Sequence, residues 1–425
     1  MRYARPRLSL LMFIQFFVSG ATLPIMSLYL KDHLGFTGAQ VGLVMGLSAV
    51  GSIVSPVLMT FIADRVISSE RLLGLMHLTG GLCMIAFSMQ TEFYSVLFLY
   101  IVYNLITIPT HSLVTAITFH HTPSDRNSFG NIRVWGTIGW ISVAWIFSFV
   151  VVRSDTSSHN ISQLPLLLKI SAITSFILSV YSLTIPRSLA HERTGEKRAF
   201  FPVDSFKVML NPQVLTLSLI VAAVNFVDRF YSVGTAPFLK QIGFSEKSIM
   251  PAMSLGQIPE IFAMGILGYI LKRWGMKKVL IAGMCMEIFR FGACAFGTSN
   301  LLVYSSLSMH GLAYTFIFIT ALISLDGFCN KNERTGAHQL FSVLTGGVGG
   351  FLGSFTAGRI ADYFSDSFGI VYYEAYWMVP LLLSIFILAM LVLFIEDAKK
   401  PVPVTVEPTE PEVEAAEHDA AGKIA

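Results

Sequence analysis

Charge is what this sequence has least of. Asp, Glu, Lys and Arg make up 13% of the 425 residues, against roughly 25% in an ordinary soluble domain. Apolar residues make up 54%, at a mean hydropathy of +0.66. No single core of this length hides so much apolar surface from water, so a soluble fold is excluded and the bilayer is the solvent. Cysteine is also scarce. Cys83, Cys285, Cys294 and Cys329 lie in or beside apolar runs without C-x-x-C spacing, which points to reduced, buried thiols rather than a metal site.

Several functional signatures are missing as well. There is no G-x-x-x-x-G-K-[ST], hence no sign of ATP drive. There is no H-E-x-x-H and no G-x-S-x-G, hence no sign of an intramembrane hydrolase. No apolar run bears a regular arginine ladder, which argues against voltage sensing. The chain reads as a non-enzyme that takes no cofactor, no metal and no nucleic acid.

What is present is a series of long apolar runs. A helix rises about 1.5 Å per residue, so about 20 apolar residues cross the hydrocarbon core. Runs of that size fall at 8–30, 40–62, 72–90, 93–119, 131–152, 164–185, 213–239, 248–271, 279–297, 300–327, 337–361 and 373–395. The fold class this implies is all-α integral membrane, with twelve spans. The run from Leu8 to Leu30 follows Arg2, Arg5 and Arg7 and is too long for a cleaved signal, so it is read as the first span.

The few charges are placed unevenly. With the N-terminus in the cytoplasm, the outer loops and span ends hold only Lys31, Arg153, Lys240, Lys247 and Arg359. The inner side holds most other basic residues, from Arg2 and Arg65 to Lys399 and Lys400. This positive-inside pattern predicts that both termini are cytoplasmic.

A basic loop from about Pro186 to Pro212 divides six spans from six. The turn Ile62-Ala63-Asp64-Arg65 after span two resembles Leu271-Lys272-Arg273-Trp274 after span eight, as an internal repeat would. The expected division is a bundle over 1–185, a loop over 186–212, a second bundle over 213–397 and a disordered tail over 398–425. The tail is rich in Pro, Glu, Val and Ala and has no apolar face.

Polar residues inside spans are costly, roughly 2.5–3.5 kcal/mol for a mid-helix charge, and so carry information. On span five, Arg133, Thr137 and Trp140 are spaced i, i+4, i+7 and share a face that offers a guanidinium, a hydroxyl and an indole. Arg133 either lines a cavity or snorkels to the surface. On span eight, Gln257 and Glu260 share a face beside Pro259, which removes a backbone donor and loosens the helix. A carboxyl buried there can exchange a proton, so Glu260 is the first proton-coupling candidate and Asp228 the second.

Asp228 and Arg229 are adjacent on span seven and point about 100° apart, one toward a cavity and the other toward a neighbouring helix. Glu287 and Arg290 on span nine are i, i+3 and satisfy each other. His310 and Tyr314 are i, i+4 on span ten, where His310 is a ligand contact or an interhelical partner. Gln15, Asn104, Thr110 and His111 are read as helix–helix hydrogen-bonding groups. The glycine string around Gly346-Gly347 and Gly349-Gly350 on span eleven permits close backbone contact.

These residues carry a resemblance. The six-plus-six layout with a basic central loop resembles the major facilitator superfamily. The string Ile132-Arg133-Val134-Trp135-Gly136-Thr137-Ile138-Gly139 resembles the span-five signature of bacterial nucleoside:proton symporters. Gln257-Ile258-Pro259-Glu260 and His310-Gly311-Leu312-Ala313-Tyr314 resemble their span-eight and span-ten motifs, and Gln15-Phe16 and Pro109-Thr110 also fit.

The resemblance implies two six-helix bundles that alternate access to a central site in the bacterial cytoplasmic membrane, in a monomer. It implies proton-coupled nucleoside entry, with substrate contacts from Arg133, Thr137, Trp140, Gln257, Glu260 and Tyr314. Arg229 and Ser232 stand near positions where nucleoside carriers have neutral amides, and they join the candidate set with His310. An Arg and Glu across spans five and eight are similar to the pair in oligosaccharide:proton symporters, so a sugar-like substrate is the rival. A non-transporting receptor of the same fold is the rival from another class.

Overall fold

The computed structural model describes residues 4–62, 68–122, 126–151, 164–186, 203–297, 299–330 and 333–396. The basic loop over 187–202, the turn residues 63–65 and the tail over 398–425 lie outside these.

The apolar runs all fold as helices. In chain order they are α1 (Arg5–His33), α2 (Gly38–Ile62), α3 (Ser69–Ser88), α4 (Phe93–His121), α5 (Arg126–Ile146), α6 (Leu164–Ser182), α7 (Pro212–Gln241), α8 (Glu246–Trp274), α9 (Met276–Phe296), α10 (Asn300–Asp326), α11 (Gly336–Tyr363) and α12 (Tyr373–Phe394). Among the described residues there is no strand, only an isolated bridge between Ser365 and Val371. A short helix, Val203–Met209, precedes α7.

The outward faces are apolar. Phe98 is 65% exposed and Phe262 is 70% exposed. Large aromatics in such numbers on an outer surface mark a surface meant for lipid rather than water.

The helices pair in a repeating pattern. In the first six, α1 packs on α5, α2 on α4 and α3 on α6. In the last six, α7 packs on α11, α8 on α10 and α9 on α12. Each pair recurs six helices later, which is what a duplicated bundle produces. Between the halves, α2 packs extensively on α11.

Several helices are not regular throughout, and their sequences explain it. α8 is two segments, Glu246–Ser254 and Gln257–Trp274, with the ladder interrupted at Leu255-Gly256. Pro251 and Pro259 bracket the interruption, and each lacks the N–H that would continue the ladder. The loosening expected at Pro259 therefore appears at Leu255, the residue whose carbonyl loses its i+4 donor. The turn is wide over Thr315–Ile319 in α10 and over Val343–Gly349 in α11. The glycine string of α11 falls in the second of these and continues beyond it. A Cβ at Gly349 or Gly353 would strike the α7 backbone at Ala222 or Phe226, so these glycines set the α7–α11 distance. Gly275, at φ +79°, ends α8 and starts α9 in the left-handed region that glycine alone enters freely.

One end of the molecule ties the halves together. Lys240 of α7 meets Asp32 of α1 at 2.9 Å and Glu246 of α8 at 3.2 Å. Asp362 of α11 accepts hydrogen bonds from the Gly38 and Ala39 amides, at 2.5 and 2.7 Å, where α2 begins. Trp145 of α5 donates from Nε1 to Ser254 Oγ, beside the break in α8, at 3.2 Å. These hydrogen bonds and ion pairs join the halves in one part of the molecule.

Candidate functional site

Arg133 enters from the first half. Its guanidinium lies 4.1 Å from the centre of the Phe16 ring on α1. Phe16 meets His111 of α4 edge-on at 5.1 Å, and His111 Nε2 is 3.2 Å from Ser19 Oγ. Gly136 leaves the room Phe16 needs, since a Cβ there would strike the ring. Arg133 is thus turned into the bundle and does not snorkel. Thr137 and Trp140 are half-buried on the same helix, and neither side chain makes a hydrogen bond among the described residues.

Glu260 enters from the second half, on the longer segment of α8. It and Arg133 lie within electrostatic reach of each other, and Tyr314 of α10 lies within reach of both. Neither Arg133 nor Glu260 closes an ion pair among the described residues. Tyr314 is 39% exposed. Charges on α5, α7 and α8 lie within electrostatic reach of it. Glu260 and His310 lean on the close approach of α8 and α10 at Gly256 and Gly311, where neither glycine has room for a Cβ.

Gln257 has a second task. In the amide orientation that satisfies both ends, its nitrogen donates to the Met253 and Ser254 carbonyls, at 3.2 and 2.9 Å. These are carbonyls at the α8 break, so Gln257 stabilises the interruption from within.

Asp228 and Arg229 point apart, as adjacent helical residues must. Asp228 is turned to α9, where Arg290 Nη2 donates to it at 2.9 Å. The same guanidinium binds Glu287 and contacts His310 Nδ1 at 2.5 Å. His310 stacks on Tyr231 at 4.6 Å, and Arg290 lies over that ring at 4.4 Å. The expected Glu287–Arg290 pair is present within a wider network that joins α7, α9 and α10. His310 is an interhelical partner here, although 22% of its side chain stays exposed.

Arg229 faces the other way. It lines a cavity of about 210 Å³ between the halves, together with Ser19, Asn104, Thr107, His111 and Gly346. Ser232 lies one turn further along α7, half-buried and without a hydrogen bond among the described residues.

Of the residues singled out from the sequence, Arg133, Glu260 and Tyr314 come together at the centre, with Thr137, Trp140 and Gln257 on the same two helices. Arg229 faces the adjoining cavity. Asp228 and His310 belong to the Arg290 network. Sequence reasoning passed over His77, which is buried on α3 and places Nε2 2.8 Å from Gln15 Oε1; Gln15 Nε2 in turn donates to Thr110 Oγ1 at 2.8 Å. A histidine inside an apolar run was the available signal.

The family profile described as "Nucleoside H+ symporter" matches residues 3–400. The chain is 30% identical over 357 residues to "Putative nucleoside transporter YegT" of Escherichia coli, covering 82% of each chain. It is 27% identical over 391 residues to "Xanthosine permease" of the same organism, covering 88% of this chain and 91% of that one. The crystal structure of the nucleoside transporter NupG superposes with a TM-score of 0.82 at 21% identity, over 92% of this chain and 99% of that one. A bacterial Spinster homologue superposes at 0.75 with 14% identity, over 94% of this chain and 99% of that one. These structural likenesses establish the fold, two six-helix bundles of the major facilitator type. By sequence, the chain belongs to the nucleoside H+ symporter family and is a multi-pass membrane carrier for proton-coupled nucleoside transport, not an enzyme.

Proposed function

We propose that the nucleoside binds between Arg133, Thr137 and Trp140 on α5 and Gln257, Glu260 and Tyr314 on α8 and α10, with Arg229, Ser232 and His310 at its edge. Glu260 carries the coupled proton, and Asp228 is the second candidate. The observation that carries this reading is the Arg133–Glu260 relationship. A guanidinium and a carboxyl from opposite halves lie within electrostatic reach of each other, and neither closes an ion pair among the described residues. Two such groups in a membrane interior need a partner, and a polar substrate between them supplies it.

The chain works as a monomer, since both halves of the site come from one polypeptide. The helix pairing supports the division into bundles over 1–185 and 213–397 joined by a loop over 186–212; the tail over 398–425 lies outside the described residues. Positive-inside placement puts both termini in the cytoplasm of a bacterium and the protein in its inner membrane. The tied end, with Lys240–Asp32 and Asp362–Gly38, then faces outward, and the carrier is closed on that side.

In the cycle, Glu260 takes a proton from outside and substrate binds. The loaded halves rock about the site, and proton loss to the cytoplasm resets the carrier. The test is uptake of labelled uridine and adenosine into proteoliposomes driven by a proton gradient. Accumulation that a protonophore abolishes, and that Glu260→Gln uncouples, is expected. Full proton-driven accumulation by Glu260→Gln would remove Glu260 from the role. Uptake of oligosaccharides in place of nucleosides would replace the substrate.

A further inference from the structure

Arg229 lies midway along α7, and among the described residues its charge has no counterion in contact. Nε donates to Asn225 Oδ1, one turn back, at 3.1 Å. That neutral amide is its hydrogen-bond partner among the described residues. The adjacent carboxylate is committed elsewhere, since Asp228 receives Arg290 at 2.9 Å and lies 3.6 Å from His310. The walls of the cavity that Arg229 lines offer the hydroxyls of Ser19 and Thr107, the amide of Asn104 and the imidazole of His111, and no carboxylate. Gly350 of α11 lies against the guanidinium, where a Cβ would come within 3.5 Å of Nε. Among the described residues the terminal nitrogens of the fork make no hydrogen bond, and the side chain that carries them lines the cavity with its N–H groups in one fixed plane.

A membrane-embedded guanidinium kept in this state is completed by what enters the cavity. Its fork matches two acceptors side by side. A 6-oxopurine presents such a pair at O6 and N7, whereas adenine offers N7 beside an amino group that is itself a donor. We propose that Arg229 reads the nucleobase, and that the carrier prefers 6-oxopurine nucleosides, such as guanosine and inosine, to adenosine. This rests on the nucleoside reading above and adds the identity of the base. The neutral amide of Asn104 on the cavity wall cannot reproduce the effect, because an amide pairs as readily with a 6-amino group as with a 6-oxo group.

The test is competition for labelled uridine uptake in proteoliposomes, with guanosine, inosine and adenosine as competitors. In the wild type, the 6-oxopurines should compete at concentrations roughly tenfold or more below adenosine, as one bidentate contact gives. In Arg229→Gln and in Arg229→Lys, which keeps the charge but loses the fork, uptake falls and the ratio between competitors closes to about one. A wild type that takes up uridine but ranks adenosine with guanosine overturns this inference alone, whatever the variants do. An unchanged ratio in either variant also overturns it. A wild type that takes up no nucleoside overturns the proposed function, and this inference with it.

Discussion

Arg290 on α9 reaches Asp228 on α7 at 2.9 Å, although 62 residues separate them, and its side chain is fully buried. The same guanidinium holds Glu287 and touches His310, and it lies between the Tyr231 and Phe291 rings at 4.4 and 4.6 Å. One cation therefore serves two carboxylates and fixes three helices. Removing it leaves two buried anions without compensation. Arg290→Ala should cost about 3–5 kcal/mol of stability. The check is a thermal melt in detergent, where the variant should unfold well below the wild type. Asp228→Asn removes one anion and keeps a hydrogen-bonding group, so it should lose much less. Equal melting of Arg290→Ala and wild type would show that the network does not hold the second half together.

A second prediction concerns the tied end. Asp362 occupies the N-terminus of α2 from the opposite half, where it satisfies two amides that a helix start leaves without partners. Losing such a cap costs about 0.5–2 kcal/mol. Here the cost falls on the closed arrangement and not on the fold, because an opened carrier exposes those amides to water. Asp362→Ala should shift the population toward opening at this end by about twofold to thirtyfold. Thr22 lines the central cavity and is a suitable reporter. With the four native cysteines replaced by serine, a Thr22→Cys thiol should react faster with a membrane-impermeant maleimide once Asp362 is Ala. No change in labelling rate would mean that the other ties, Lys240 to Asp32 and Trp145 to Ser254, hold this end without Asp362.

The glycines beneath that clamp allow a sharper comparison. A Cβ at Gly42 would strike the Ser354 carbonyl, and one at Gly358 would strike the Gly38 carbonyl, so α2 and α11 meet backbone to backbone between the halves. Gly353 makes an equally close approach to Phe226, but within the second half. Gly358→Leu should wedge the halves apart, speed labelling at Thr22→Cys and lower uptake, with a small change in melting. Gly353→Leu should lower melting instead, because a packed bundle cannot absorb the added volume and overpacking costs about 1–3 kcal/mol. Identical behaviour of the two variants would contradict a contact that opens and closes.

The contrast between these sites shows how far the sequence carries. Twelve spans were legible because the hydrocarbon core sets a length, and a run such as 373–395 meets it whatever its neighbours are. The costly residues were legible for the same reason, since Arg133, Glu260, Asp228 and Arg290 stand out against apolar surroundings. Their partners were not. Whether Arg290 meets only Glu287 or also Asp228 depends on the rotation of α7 against α9, which packing decides. The break at Leu255-Gly256 was half visible in Pro251 and Pro259. The cap of α2 by Asp362 could not be read, because it joins residues 324 apart and exists only when the halves meet.

Phe16 carries the last prediction. Its ring sits 4.1 Å from the Arg133 guanidinium, and His111 fixes it edge-on from the other side. Gly136 leaves room for that guanidinium, since a Cβ there would come within 2.8 Å of Arg133 Nη1. The ring therefore sets where the positive charge points, and does so without neutralising it, leaving the charge available to substrate. A contact of this kind is worth about 0.5–2 kcal/mol. Phe16→Ala should release Arg133 into alternative rotamers and raise the apparent KM for nucleoside about twofold to thirtyfold, with kcat less affected. Phe16→Tyr keeps a ring face and should stay near wild type. If Phe16→Ala leaves KM unchanged while Arg133→Ala abolishes uptake, then Arg133 is positioned by the substrate itself. The pairing across α1 and α5 would then be packing alone.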